Sequence, residues 1–248
     1  MSALATPDIN ALRARLHTIA PPARHGVLGL DGDVVDAALG GGLALGALHT
    51  LEGHGLEAET AAAPAAFLAA LLARMPGHKP VFWISATTDL YAPGLISHGF
   101  DPNRLIQLRN QGVDEALSAM ETLLRSTAPV AVVAEIGAMG PLAGRRLQMA
   151  CLGSGVTGFV LRRWPHGKRP HTDITAAVTR WRINPAPSLC HGGRAPGPPR
   201  WDVALLHTRA GPPGEWILEQ ENRDDAPHSF RVVAGLADKA SATRRLAG

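Results

Sequence analysis

Two spacings of apolar residues alternate along this chain, one of about two residues and one of about 3.6, and their order predicts its elements. A short apolar run at 47–51, punctuated by glycines, reads as a strand; past Pro64, Phe67, Leu68, Leu71, Leu72 and Met75 fall at helical spacing. A turn at Pro76-Gly77 leads to a β-rich run at 80–85, then a helix over 91–98, a strand at 104–108 and a helix over 113–126 that begins with Asp114 and Glu115. The run at 129–136 contains Val130-Ala131-Val132-Val133-Ala134 without a polar break, the pattern of a parallel strand covered on both faces. A helix over 141–152 with Arg145 and Arg146 exposed and a strand at 158–162 complete this part. From residue 176 the pattern changes to strands at 177–183, 202–208 and 216–220, with a loop rich in Pro and Gly at 185–200.

Strands and helices that alternate at about thirty-residue spacing build right-handed βαβ units. The expected class is therefore α/β, a mainly parallel sheet finishing with antiparallel strands. At 248 residues the chain suits one large domain. We read 1–25 as an N-terminal helix and linker, 26–222 as the core and 223–248 as a C-terminal tail. Residues 7–19 form a short amphipathic helix with Ile9, Leu12, Leu16 and Ile19 on one stripe, and Pro21-Pro22 ends it. A helix so short is marginal alone, so it docks on its own domain or on a neighbour. The segment 26–42 is expected to anchor in the core through Leu28, Leu30, Val34, Val35 and Leu39.

Composition narrows the classes. Apolar residues make up 46% of the chain, yet no run approaches the roughly 18–20 needed to cross a bilayer, and Met1 to Ala5 lacks a signal-peptide pattern. The expectation is a cytoplasmic protein with no membrane partner, its two cysteines, Cys151 and Cys190, reduced. The net charge of +3 conceals an asymmetry. Residues 27–124 hold 4 basic and 11 acidic side chains, whereas 125–209 hold 12 basic and 3 acidic. Such a split suits a face for nucleic acid or an acidic partner, or simply solubilising arginines.

The strand at 47–51, the glycine loop after it and the following helix stand where a phosphate-binding loop sits in nucleotide-binding α/β domains. Such a loop needs a Lys for the β- and γ-phosphates and a Ser or Thr for magnesium. Here Gly53, Gly55 and Thr60 are present, but the Lys is absent and Glu57 and Glu59 lie where phosphates would. Carboxylates near a helix N-terminus are stabilised by its dipole, so these two can fill the anion site from within the chain, and the loop reads as a lost phosphate site, the alternative being an unusual working one. Glu135, at the end of the 129–136 strand, is a possible metal carboxylate or a residue that hydrogen-bonds a loop there. No cofactor is expected. His166, His171, Cys190 and His191 lack the paired spacing of a strong zinc motif, so no metal is expected either.

The order of these pieces resembles the core of the RecA recombinase family. The run LDGDVVDAALGGGLALGALHTLEG resembles the approach to that family's Walker A strand, and PVAVVAEIGAM its Walker B strand. Within that group the phrases LGGGLALGALH, LYAPGL with GFDPNRLI, RRLQMACLGSGVTGFVLRRWP, AAVTRWRI and EWILE are most similar to ImuA proteins of bacterial mutagenesis cassettes, over about residues 28–221. The resemblance implies a RecA-like three-layer αβα fold. It also implies work with ImuB and an error-prone replicative-type polymerase in translesion synthesis after DNA damage, with RecA and single-stranded DNA as further candidate contacts. It does not imply a motor, because Ala134 stands at the Walker B aspartate and Ala86-Thr87-Thr88 where a catalytic glutamate is expected.

By the same resemblance the loop at 162–173 falls where recombinases carry a DNA-contacting loop. Arg162, Arg163, Lys168 and Arg169 suit phosphates and Trp164 a stacked base, or the loop is an ordinary solvated crossover. Partner docking is expected through an apolar helix at one end of the chain, on Ile9, Leu12, Leu16 and Ile19 or around Val232, Val233 and Leu236. The competing readings are an accessory protein without catalysis, a RecA-class ATPase or nucleotide-gated switch with an atypical site, and a structural adaptor without DNA contact.

Overall fold

The computed structural model describes residues 23–55, 60, 62–163, 176–188, 197–221 and 228–235. Strand β1 (Val27–Leu28), helix α1 (Asp33–Ala38) and strand β2 (Leu43–Ala44) lead into β3 (Leu48–Glu52) and α2 (Ala62–Ala73). Then come β4 (Val81–Ser85), 3-10 turns at Ala92–His98 and Pro102–Arg104, β5 (Leu105–Arg109) and α3 (Val113–Arg125). β6 (Ala131–Ile136), α4 (Pro141–Ser154) and β7 (Thr157–Arg162) follow, and β8 (Thr179–Pro185), β9 (Arg200–Thr208), β10 (Gly214–Glu221) and β11 (Ser229–Gly235) finish the sheet.

Among the described residues, nine strands form one sheet in the order β11-β10-β9-β8-β3-β7-β6-β4-β5. The six strands from β8 to β5 run parallel to one another, and the pairs β8–β9, β9–β10 and β10–β11 are antiparallel. Helices cover both faces of the parallel part, which is the RecA-like three-layer arrangement. Burial follows from this. Every residue of β7, and every residue of β6 except Glu135, is buried, whereas β8 buries Thr179, Trp181 and Ile183 and leaves Arg180, Arg182 and Asn184 partly exposed.

One face is packed by α2, whose Phe67 lies 5.1 Å from Phe230, 5.6 Å from Trp201 and 6.3 Å from Trp181 between ring centroids. The eight buried residues of α2 surround the helix, because it is apolar on all sides and lies between the sheet and the 92–98 turn. The other face is packed by α3, through Ala116, Met120 and Leu124 at i, i+4 and i+8, and by α4, through Leu147, Ala150 and Cys151. α4 crosses β7 closely at Gly158, where a Cβ would lie 3.0 Å from both Cys151 Sγ and a Leu48 methyl. No described helix is long and apolar enough to cross a membrane.

Several expectations are corrected. The 91–98 helix is a 3-10 turn, since Pro93 and Gly94 sit in its first turn and disfavour a longer α-helical run. Val34 is 59% exposed rather than an anchor, while Leu28, Leu30, Val35 and Leu39 are buried. The sheet also continues past residue 222: β11 pairs antiparallel with β10 and buries Phe230. Val232 and Val233 therefore lie in a strand and not in a helix, with Val232 packed against the core. The helix expected at 7–19 and the tail from 236 lie outside the described residues.

A buried polar chain ties β8 to β3, and β3 to the end of the β1–β2 ribbon. Trp181 Nε1 donates to Thr179 Oγ1 at 2.7 Å, and Thr179 Oγ1 lies 2.7 Å from His49 Nδ1. His49 Nε2 is 2.8 Å from the Ala44 carbonyl, to which it donates. The ring is fully buried and thereby held neutral, its pKa pushed down from 6.5 to about 4.

Linkage gives the sign of the consequence. The contribution is complete above pH 6.5, where both states carry a neutral ring, and is lost as the pH falls toward 4, because the unfolded chain takes up the proton first. Urea unfolding is expected to show this group removing about 2 kcal/mol between pH 7 and pH 5. His49→Asn should be less stable at pH 7 but show a shallower loss over the same range. An equal slope in the variant would contradict the assignment.

Candidate functional site

The carboxyl ends of the parallel strands are where ligands bind in open α/β sheets. Here that edge is lined by ion pairs. Glu135, the fifth residue of β6, has a side chain only 6% exposed. One carboxylate oxygen accepts from Trp83 Nε1 at 2.7 Å, and the other accepts from Ser85 Oγ at 3.0 Å and from Arg163 Nη1 at 2.8 Å. Strand order makes this possible, because β6 lies between β4, which supplies Trp83 and Ser85, and β7, which Arg163 directly follows.

The Arg163 guanidinium turns a second side to Asp89. Nη2 reaches one Asp89 oxygen at 2.8 Å and Nη1 the other at 3.1 Å, a bidentate fork. Arg163, with Thr87 Oγ1 donating to the same carboxylate at 2.5 Å, holds the Asp89 carboxyl down at about 2. One strand position away, Arg162 is buried beside Glu52, with Nη1 3.8 Å from the carboxylate, and donates to the Gly137 carbonyl at 3.2 Å. Glu52 is the last residue of β3, directly before the glycine loop.

The loop positions meet in part. A Cβ on Gly53 would lie 2.8 Å from Thr60 Oγ1, so the loop's start and the beginning of the next helix are in contact, as a phosphate loop requires. Gly55 adopts φ +116°, and the His54 amide is tied to Asn184 Oδ1 at 2.8 Å. Gly53 and Thr60 keep the spacing of the phosphate-loop pattern, with Ala58 and Glu59 in place of its second glycine and lysine. Glu57 and Glu59 themselves lie outside the described residues. Beside the loop a cavity of about 470 Å³ separates Ala62, Ala65 and Ala66 of α2 from Asp89, Glu135 and Arg163.

As a magnesium ligand Glu135 is a poor fit, since the Arg163 cation already pairs with it at 2.8 Å and Trp83 and Ser85 donate to it as well. Arg162 and Arg163 differ from the expectation that they face DNA phosphates: one is buried and the other is drawn back to Glu135 and Asp89. Trp164, Lys168 and Arg169 lie outside the described residues, as do His166, His171, Cys190 and His191. No cluster of metal-ligating side chains occurs among the described residues. Asp89 escaped the sequence reading, which looked for a carboxylate closer to the end of β4. A Trp inside a buried strand was the available signal for Glu135, because its indole N–H must find an acceptor.

Comparison with known proteins places these observations. No family model matches the chain. Proteins named "Protein ImuA" from two strains of Caulobacter vibrioides, NA1000 / CB15N and ATCC 19089 / CIP 103742 / CB 15, are each 45% identical over 211 residues, covering 80% of this chain and 85% of the relative. A crystal structure of SulA from Pseudomonas aeruginosa aligns with TM-score 0.40 and 19% identity, over 46% of this chain and 96% of that one, a likeness too low to bear on function.

Removing one member of the Glu135–Arg163 pair should cost more than removing both. Arg163→Met leaves a buried carboxylate uncompensated and should lower stability by roughly 2–4 kcal/mol, somewhat under the value for a fully buried pair. Adding Glu135→Gln should recover at least about 1 kcal/mol of that in denaturant unfolding. By carboxyl-detected NMR, Asp89 should titrate near 2 in the parent and nearer its ordinary 3.8 in Arg163→Met. Additive stability losses and an unmoved Asp89 would dissolve the cluster as described.

Proposed function

The chain belongs to the ImuA family, and from that premise we propose that it is a non-catalytic, RecA-like accessory protein of error-prone translesion DNA synthesis, acting with an ImuB-like protein and an error-prone replicative-type polymerase. The observation that carries the non-catalytic part is the state of Glu135. A carboxylate that is to hold magnesium or activate water at a strand end needs its charge available to the ion; here the Arg163 cation already pairs with it at 2.8 Å, and Trp83 and Ser85 take two more of its roughly four acceptor positions. The loop sequence supports the same reading, because Glu59 stands in place of the lysine that would reach the phosphates.

Such a protein keeps the RecA-like sheet as a scaffold for partners. Contact with RecA or with single-stranded DNA belongs to this proposal too, and on the DNA side it falls to Trp164, Lys168 and Arg169, since Arg162 and Arg163 are engaged inward. One observation favours the second reading, a nucleotide-gated switch: Thr60 retains the magnesium-bridging hydroxyl position and still touches Gly53.

Complementation separates the two. In cells lacking the endogenous copy, Thr60→Val, which keeps the shape and removes the hydroxyl, should restore damage-induced mutation frequency to within about twofold of the parent chain. A drop to the level of the empty vector, with the variant still folded and abundant, would favour the switch. Failure of the parent chain itself to support mutagenesis beside its ImuB-like partner would contradict the accessory role.

A further inference from the structure

The cavity beside the glycine loop has a chemistry of its own. Ala62, Ala65 and Ala66 fall at i, i+3 and i+4 on one face of α2, and their small side chains leave a space of about 470 Å³ that Leu90, Leu95 and Asp89 also line. That volume lies within the range of about 300–1,000 Å³ that ligand pockets span.

Its charges do not balance. Among the described residues that line it, Asp89 and Glu135 bring two carboxylates against the one guanidinium of Arg163, while His98 is turned to Gln220, Nδ1 donating to Oε1 at 3.0 Å. Asp89 is ionised throughout the neutral range, its carboxyl being held down at about 2. The first turn of α2 offsets about half a charge at most, so a negative excess stays in the cavity. Asp89 also has room for a donor. Thr87 and two Arg163 nitrogens take three of its roughly four acceptor positions, and its side chain is 53% exposed. Two residues on, Tyr91 lines the same cavity and is 72% exposed, with the Cδ1 edge of its ring beside Gly94.

We propose that this cavity is a binding site for an arginine side chain of a partner polypeptide, its guanidinium on Asp89 and the ring of Tyr91 and its aliphatic stem against the alanines of α2. The other occupants fit less well. A phosphate or a carboxylate meets the negative excess, an apolar side chain leaves it unanswered, and a lysine has no plane to lay on the ring. Free arginine would carry its own carboxylate into the same field, whereas an arginine within a polypeptide carries none. The site needs only the cavity and its charge, so it stands whether or not the accessory role does.

Tyr91 is the only tyrosine of the chain, so incorporation of 3-fluorotyrosine gives a single fluorine resonance at the site. Titration with N-acetylarginine amide should move that resonance saturably, with half-saturation at about 1–10 mM for a lone side chain. N-acetylcitrulline amide, its neutral isostere, should bind at least about fivefold more weakly, as should the arginine amide to Asp89→Asn. Because Asp89 also holds Arg163, Ala65→Leu supplies an independent variant: it fills the cavity with a good helix former and should abolish the response in a chain that urea unfolding shows to be folded. Equal binding of citrulline and arginine amides, an unchanged response in Ala65→Leu, or no saturable shift up to about 50 mM arginine amide would overturn the proposal. Tighter binding of propylguanidine, the bare side chain, than of the arginine amide would overturn the assignment to a polypeptide.

Discussion

A carboxylate buried at the end of a parallel strand is tolerated only when its oxygens are occupied, and the carboxyl edge of this sheet is arranged around occupying Glu135. An uncompensated charge there would cost several kcal/mol, so the partners must arrive from both sides. β6 lies between β4 and β7. Trp83 and Ser85 come from one neighbour and Arg163 from the other, and Arg163 then recruits Asp89 from the loop after β4. The result is an edge with the layout of a nucleotide-binding fold and the electrostatics of a closed ion-pair network.

That network also recasts the charge asymmetry of the chain. The acidic half supplies Glu52 and Asp89, the basic half supplies Arg162 and Arg163, and the strand order brings them together. Glu121 of the acidic half likewise meets Arg125 and Arg146. Part of the charge segregation along the sequence is therefore cancelled across the fold rather than displayed as a field. Within the basic half and beyond, Arg182 with Glu215 and Arg200 with Glu219 add to the cancellation.

Much of the fold was legible because burial writes itself into periodicity. The unbroken run in β6 read directly as a parallel strand covered on both faces, and the successive strands after residue 176 as the antiparallel finish of the sheet. The ribbon of β1 and β2, two residues in each strand, is too short to carry a pattern. β11 was hidden by its place after the polar stretch at 222–227, although Phe230 and Val232 alternate with Ser229 and Arg231. At the site the sequence offered Glu135 and the defective glycine loop. It could not reveal that Arg163 points inward, because that depends on which strands are neighbours.

The central claim is that the edge is complete in itself, and calorimetric titration of the purified chain with magnesium ATP tests it most directly. No saturable binding is expected up to millimolar nucleotide, with no gain in thermal stability, since a ligand bound only by the folded state would raise it. Saturable binding that is weakened by Glu135→Gln and by Thr60→Val would contradict the claim, showing that Glu135 leaves Arg163 to serve a nucleotide.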